Sequence, residues 1–429
     1  MCGGGKYAKG GKRMLVSVIT LGCKVNEYES QSIMHQLNDV GHKTCEGLVK
    51  ADAYVINTCA VTNTGERKSR QVLAKIEKLN PDAKIIVCGC AVQNNPTKFL
   101  TNPNVVAITG NAGKDYIVKL IDAENKKLVE LEHNKYANMA RPVETRTRQY
   151  IKIQDGCNYF CTYCVIPYVR GRSRSRELED ILEEIKQTKA PEIVLTGINM
   201  SDYRIDGKLA LKTLVKEIDK LNKRFRISSI ECLVLDDEML EILSNCKNFC
   251  PHFHLSLQSA CNATLKRMNR HYTIEQFKEI VVKIKQKFPT ASISTDIIVG
   301  FKGETDEEFA DTLKNLKEIE FSFMHIFPYS ERSGTAAEKL GGAVDKCVIK
   351  QREKQLQILN KQFKQKFYEQ NKNTTHSMLV EEVENGVSVG YTDNYIYTYI
   401  NKVLPVGEIV EVTLKEEHLE GMLGLLSLT

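Results

Sequence analysis

Cys157, Cys161 and Cys164 stand in a Cys-x-x-x-Cys-x-x-Cys run. Three thiolates this close pair poorly as disulfides but can converge on one metal centre. A structural zinc site takes four protein ligands. Three cysteines suit a cubane 4Fe–4S cluster, whose remaining iron stays open to a substrate or cofactor. A zinc knuckle with a distant fourth ligand is the competing reading. Cys23, Cys59 and Cys90 share a different property, since each follows a short apolar run (Leu15–Thr20, Ala53–Asn57, Lys84–Val87) where a strand should end. Ligands of open parallel sheets collect at the carboxyl ends of strands. These three thiols therefore read as a second metal site, against the plainer reading of three buried structural thiols. Cys88 lies two residues before Cys90, and period two points both the same way, so spacing does not choose between them.

The elements that must position these cysteines follow from pattern. In the N-terminal part, helical patterns near Glu27–Asn38 and Glu66–Leu79 alternate with the apolar runs, which predicts an open parallel α/β sheet. Residues 122–145 are charged and aperiodic and read as a linker. A second βα series follows, with strands expected at Tyr150–Ile153, Ile193–Thr196, Arg226–Ile230, His252–Leu257, Ser292–Val299 and Phe321–Phe327. Helices are expected near Leu178–Lys186, Leu209–Leu221, Glu238–Ser244, Ile274–Lys287 and Glu307–Ile319. Two of them open on capping boxes, Thr273-x-x-Gln276 and Thr305-x-x-Glu308. Six units predict an incomplete, TIM-like (β/α)6 barrel with its chemistry on the loops after the strands. Those loops carry Cys157–Cys164, Asn199, Gln258–Ser259 and Gly300. Residues 341–372 include a lysine-rich helix. Residues 373–429 alternate in short runs and predict a small OB-like β-barrel.

The chain has 429 residues, 14 cysteines and a formal charge of +6. No apolar run approaches the roughly 20 residues of a membrane helix. Residues 1–13 lack the apolar core of a signal peptide and read as a disordered tail. Cysteine usage without a secretion signal implies a reducing, cytoplasmic setting. The last 57 residues hold nine acids against Lys402 and Lys415, a charge of −7 that leaves +13 on the rest. A basic body suits a polyanionic partner, although a solvated surface explains it equally well.

Taken together, Thr20–Ser30 around Cys23, Ile56–Thr62 around Cys59, Cys88–Gln93 around Cys90, Pro167–Arg176 and Thr295–Phe301 resemble the methylthiotransferases of the radical S-adenosylmethionine (SAM) class. The likeness is to the bacterial type acting on threonylcarbamoyladenosine in tRNA. It implies three domains: an N-terminal domain with an auxiliary 4Fe–4S cluster (14–121), a radical SAM core (146–340) and a C-terminal TRAM domain (373–429). Cys157, Cys161 and Cys164 would hold the cluster that binds and cleaves SAM. Cys23, Cys59 and Cys90 would hold the second cluster, the family pattern favouring Cys90 over Cys88. Tyr163 would pack near the adenine, with Asn199, Gln258, Ser259, Ile298 and Gly300 around SAM. The implied partners are tRNA, a flavodoxin- or ferredoxin-like electron donor and a sulfur donor, with no membrane.

Arg170, Arg172, Arg174 and Arg176 are candidates for binding substrate, through phosphate or carboxylate. Tyr391, Tyr395, Tyr397 and Tyr399 are candidates for stacking on splayed bases, although alternating tyrosines are also ordinary strand residues. The helix from Lys346 to Lys366 is the better electrostatic candidate. His252, His254 and His325 read as barrel-lining residues. Lys302, Ala260 and Asn262 depart from the family pattern near the SAM loops. Three alternatives stay open: relatives acting on isopentenyladenosine, relatives acting on a ribosomal-protein aspartate, and a non-catalytic metal-binding RNA module.

Overall fold

The computed structural model describes residues 13–121, 128–130, 139–142 and 147–427. It divides into two compact units. One runs through Val143 and takes in Asp155–Asn158 and Cys164–Arg174; the other comprises Glu144–Gln154, Tyr159–Tyr163 and Ser175–Thr429. The expected tail lies outside the described residues apart from Arg13.

The first unit holds a six-stranded, all-parallel sheet. Its spatial order is Lys43–Glu46, Leu15–Thr20, Ala53–Thr58, Lys84–Gly89, Val105–Thr109, Leu128–Glu130. The three strands expected from apolar runs are present, and Lys24–Asp39 and Asn63–Leu79 are the intervening helices. The central strand Ala53–Thr58 is buried along its whole length, as a parallel strand covered on both faces must be. The other three strands were not anticipated. Lys43–Glu46 is polar, and Leu128–Glu130 sits in the stretch that reads as a linker. Edge strands need no continuous apolar run, so periodicity did not mark these two; Val105–Thr109 is interior and carries an apolar run that the sequence reading overlooked.

The second unit contains the partial barrel and the small C-terminal barrel. Six strands line the former: Arg148–Asp155, Glu192–Gly197, Arg224–Ile227, His252–Gln258, Ser292–Val299 and Phe323–Pro328. They form two parallel sheets joined by bridges at Phe225–Phe249 and Ile230–Leu255. Alternation sorts each strand into two faces. Ile151, Ile153, Ile193, Leu195, Phe225, Ile227, Phe253, Leu255, Ile293 and Ile297 enter the core under the helices. The alternate residues, among them Lys152, Glu192, Arg226, His252, His254, Ser294 and Asp296, form the opposite, lumen face, so the lumen is polar. Both expected capping boxes form, at Thr273 and Thr305.

The helix Lys346–Asn371 packs Leu356, Leu359 and Phe363 into the barrel core, and its Lys346, Lys350, Lys354 and Lys361 stay exposed. Beyond it, Thr375–Glu384, Val387–Thr392, Tyr397–Ile400, Gly421–Leu426 and Ile409–His418 close a five-stranded barrel in that order. Tyr395 was expected inside a strand. It instead occupies a turn with φ of +67°.

That turn docks on the polar end of the large barrel. Arg226 donates to the carbonyls of Asp393 and Thr392, both at 2.6 Å, and Arg224 donates to Ser377 O at 3.2 Å. Glu192 holds Arg148, Arg224 and Arg226 at 2.6–2.8 Å. Tyr395 stacks on His252 with ring centroids 4.2 Å apart and on Tyr391 at 4.5 Å, and Arg148 and Arg226 lie over its ring. Two of the four tyrosines proposed for base stacking are thus spent on joining the barrels. An amphipathic ring fills such a contact with little entropy to lose. Tyr397 packs on Tyr391 at 5.0 Å and edge to face on Tyr399 at 5.1 Å.

Candidate iron–sulfur and SAM sites

In the first unit, Cys23 precedes the helix Lys24–Asp39, Cys59 follows the strand Ala53–Thr58, and Cys90 opens the short helix after Lys84–Gly89. Their loops are locked by side chains from the same motifs. Asn26 donates to Leu21 O at 2.7 Å and Thr58 O at 3.0 Å. Asn57 donates to Asn26 O and Ser30 Oγ. Thr58 Oγ1 accepts from the backbone N–H of Ala91, which fixes the turn that presents Cys90. Gly22 has φ of +112°, and a Cβ there would meet Cys59 Cβ at 2.8 Å and Sγ at 3.0 Å. Only glycine allows that approach.

The three thiols form one electrostatic group. Cys59 is pushed up to about 11, first by burial and further by Cys90 and Cys23, while the Val61 backbone N–H and Arg170 act against the rise. Cys23 likewise feels Arg170 and Cys90. Cys88 sits with no exposure in the core beside Val18, Val55 and Ile86. Its neighbouring charges are Lys114 and Glu29 first. The fold therefore separates the two cysteines that spacing left equivalent, turning Cys90 to the site and Cys88 into the core.

Arg170 is the centre of this group and corrects its expected role. It is fully buried. Its Nε donates to Cys90 Sγ at 3.2 Å, Nη1 to Glu29 and Asp155 at 2.9 Å each, and Nη2 to Asn26 Oδ1 at 2.7 Å. Burial opposes its charge. Cys90, Glu29 and Asp155 more than reverse that and hold it protonated well above its ordinary range. Lys114, also buried, is ion-paired with Glu29. Arg170 thus has no donor left for tRNA. Arg176 is likewise buried and paired with Asp180 and Glu184, because a guanidinium inside the fold must find carboxylates. Arg172 is exposed, and Arg174 is part-exposed beside Asp155 at 3.8 Å.

The loop after the first barrel strand bears the other triad. In the first unit, Gly156 (φ +72°) passes so close to Arg172 O that a Cβ would lie 2.0 Å from it, and Cys157 N–H donates to Gly171 O at 3.1 Å. Cys164 Sγ accepts from Ile166 N–H at 3.4 Å. In the second unit, Phe160 takes a left-handed φ of +50°. Thr162 N–H donates to Met268 O, and Thr162 O accepts from Ala337 N–H. Cys161 Sγ accepts from Arg270 at 3.3 Å, and Arg270 is itself paired with Glu231 and donates to Ser256 O. No hydrophobic period marks Arg270, so sequence reasoning missed it.

The expected SAM residues divide. Tyr163 packs edge to face on Phe301, with Ile298 and Tyr329 in the same cluster. Gln258 ends its strand at a bulge with φ of +69°, a conformation that costs a non-glycine residue about 1–3 kcal/mol. Gly300 donates to Glu304 Oε1, and Arg352 of the long helix fixes Glu304 at 2.6 Å. Asn199 accepts a structural task, its N–H donating to Gln154 Oε1 at 2.8 Å. Ser259 is buried, and its Oγ accepts from Cys261 N–H. That bond shapes the turn at the strand end. Lys302 pairs with Glu331, so the departure from the family pattern is absorbed at the loop's edge.

Residues 151–316 match the model of the Radical SAM superfamily, and residues 15–110 match that of the Uncharacterized protein family UPF0004. A protein of Bacillus subtilis (strain 168), threonylcarbamoyladenosine tRNA methylthiotransferase MtaB, is 38% identical over 92% of this chain and 93% of its own length. A tRNA-2-methylthio-N(6)-dimethylallyladenosine synthase of Thermodesulfovibrio yellowstonii is 32% identical over 96% and 99%. Among solved structures, the radical SAM methyltransferase TsrM of Kitasatospora setae superposes with a TM-score of 0.53 at 13% identity, covering 74% of this chain and 72% of that one. That likeness is one of fold.

Proposed function

The chain belongs to the radical SAM tRNA methylthiotransferases, and from that premise we propose that it methylthiolates C2 of N6-threonylcarbamoyladenosine beside the anticodon of tRNA, taking a methyl group from one SAM and a radical from another. One observation carries the reading: the clustering of Cys23, Cys59 and Cys90 around Arg170 in a chain that also holds the Cys157–Cys164 run. A second three-thiol site gives a radical SAM enzyme a place to hold the sulfur that this reaction transfers.

The residues fit two clusters. In each set, cysteines supply three ligands and an arginine N–H faces one sulfur, from Arg170 to Cys90 and from Arg270 to Cys161. Hydrogen bonds to cluster sulfurs and nearby charge tune the potential. Cys157, Cys161 and Cys164 would hold a cluster able to supply the electron for SAM cleavage, and Cys23, Cys59 and Cys90 one able to supply an open iron for sulfur. The chain's own part is positional. Gly156 and Phe160 shape the thiol loop, Tyr163 and Phe301 build an apolar wall for the adenine, and Gly300 with Glu304 and Arg352 rigidifies the next loop. Arg172 is exposed and Arg174 part-exposed beside Asp155, and this is the surface of that segment proposed to meet a phosphate or carboxylate. The proposed partners are tRNA, a flavodoxin- or ferredoxin-like reductant and a sulfur donor, in the cytoplasm. The domain limits proposed are 14–121, 146–340 and 373–429.

Relatives at 34–38% identity bear the threonylcarbamoyl name and those at 32–33% the dimethylallyl name, with one threonylcarbamoyl relative at 33%. Reconstituted protein with SAM, reductant and a sulfur source should convert threonylcarbamoyladenosine tRNA and leave isopentenyladenosine tRNA unchanged. Conversion of the isopentenylated tRNA alone would replace the substrate while leaving the chemistry standing.

A further inference from the structure

The lumen of the partial barrel holds one cluster of chemically capable side chains that methylthiolation as described does not use. His254, Asp296 and His325 sit on three neighbouring strands, His252–Gln258, Ser292–Val299 and Phe323–Pro328. The register explains why they meet. Asp296 pairs directly with His325, and His254 pairs with Ser294, two residues before Asp296 on the same face. His254 Nε2 lies 3.2 Å from Asp296 Oδ2. One ligand atom from each of the three lies within 4.8 Å of the others.

We propose that His254, Asp296 and His325 form a binding site for a divalent first-row transition ion, of the zinc or ferrous iron class, built from none of the six cluster cysteines. Two imidazoles and one carboxylate are the donor set such ions accept, with open positions left for oxygen or nitrogen donors of a bound molecule. Ligand atoms held about 2.1 Å from one ion lie roughly 3–3.5 Å apart. The His254–Asp296 spacing already meets that figure, and His325 lies within 4.8 Å of both.

The surroundings support the assignment. His254 Nδ1 is 2.9 Å from Ser294 Oγ, so the ring is oriented and its Nε2 is directed at Asp296. Metal-binding histidines are held this way, through the ring nitrogen that does not ligate. Ser294 is fully buried and also contacts His252 Nε2 at 3.3 Å, which anchors it. Phe323 packs against His325 with centroids 5.2 Å apart and fixes one face of the ring, while His325 itself is exposed and opens the site to solvent. His254 and Asp296 are only part-exposed. Each ligand stands four residues before a strand-end position, Gln258, Gly300 or Tyr329, about 13 Å along the strand. The site therefore lies deeper in the lumen than the loops assigned to SAM.

The test uses cluster-reconstituted full-length protein dialysed against ZnCl2, with zinc and iron counted together and the zinc environment read by X-ray absorption. The expected result is about one zinc per chain, with only nitrogen and oxygen neighbours near 2.0–2.1 Å and no loss of iron. Asp296→Asn and His325→Gln, which nearly preserve shape, should each weaken zinc uptake at least tenfold while keeping full iron content. Absence of zinc, equal uptake by the variants, or sulfur in the zinc shell would overturn the assignment and leave a hydrogen-bonded cluster only. None of these outcomes depends on the tRNA substrate, so failure here leaves the proposed function untouched.

Discussion

Arg170 Nε donates to Cys90 Sγ at 3.2 Å while the same guanidinium holds Glu29 and Asp155. Arg170 follows Cys164 by six residues in the chain, so the segment carrying one set of thiols also furnishes the cation for the other. Replacing Arg170 by Met should strip the guanidinium from Glu29 and Asp155, leaving Lys114 on the first and Arg174 at 3.8 Å from the second, and cost about 3–5 kcal/mol, read as a lower unfolding midpoint. Arg170→Lys keeps the charge but loses the fork. It should fold, yet show an altered auxiliary-cluster potential in redox titration. An unchanged potential in the Lys variant would show that the N–H to Cys90 has no electronic role.

Cys90→Ala should lower iron after anaerobic reconstitution from about eight to about four per chain, by cubane stoichiometry, while SAM cleavage persists. Cys88→Ala should keep about eight. Cys88 lies in the core with Val18 and Ile86, so its cost is packing alone, about 1 kcal/mol. The reverse ranking in iron analysis would move the site to Cys88.

Glu192 gives a pH dependence. Burial alone would raise its carboxyl, but Arg226, Arg148 and Arg224 reverse this and hold it far below the ordinary carboxylate range. A depressed folded pKa contributes stability that is fully present above the unfolded value, near 4.5, and is lost as pH falls toward the folded one. Thermal midpoints should therefore be insensitive to this group from pH 7 to 5 and fall below about pH 4.5. Glu192→Gln should be less stable at pH 7 and should lose part of that acid slope. A parallel slope in the variant would remove Glu192 as its source.

Tyr395→Ala should weaken the seating of the C-terminal barrel, because its ring stacks on His252 and carries Arg226. Stacking and cation–π contacts of this kind are worth about 0.5–2 kcal/mol each. Limited proteolysis should release the C-terminal barrel sooner, with tRNA affinity following the loss of structure. Tyr399→Ala should leave proteolysis unchanged. A drop in tRNA affinity for Tyr399→Ala at intact stability would assign base stacking to the strand tyrosines.

Much of the fold was legible because local and global signals agree. Ser292–Val299 and Ile274–Lys287 were placed to the residue, the first as a strand rich in β-branched residues and the second by its capping box. The strand-end logic also grouped Cys23, Cys59 and Cys90. What sequence hid was decided by partners distant in the chain. Lys43–Glu46 is a strand because Leu15–Val18 offers it an edge. Arg170 and Arg176 look like surface cations until Glu29, Asp155, Asp180 and Glu184 fold around them. Tyr391 and Tyr395 look like an RNA platform until Arg148 and His252 occupy their faces. Charge and aromaticity give a side chain's capacity, and only tertiary partners show whether that capacity is already used.

The measurement that tests the central claim most directly is mass spectrometry of tRNA nucleosides from cells with this gene, without it, and with Cys23→Ala in its place. Cells with the gene should contain 2-methylthio-N6-threonylcarbamoyladenosine; the other two should contain only the unmethylthiolated nucleoside, with 2-methylthio-isopentenyladenosine unchanged in all three. Persistence of the methylthio group without the gene, or its retention with Cys23→Ala, would contradict the account.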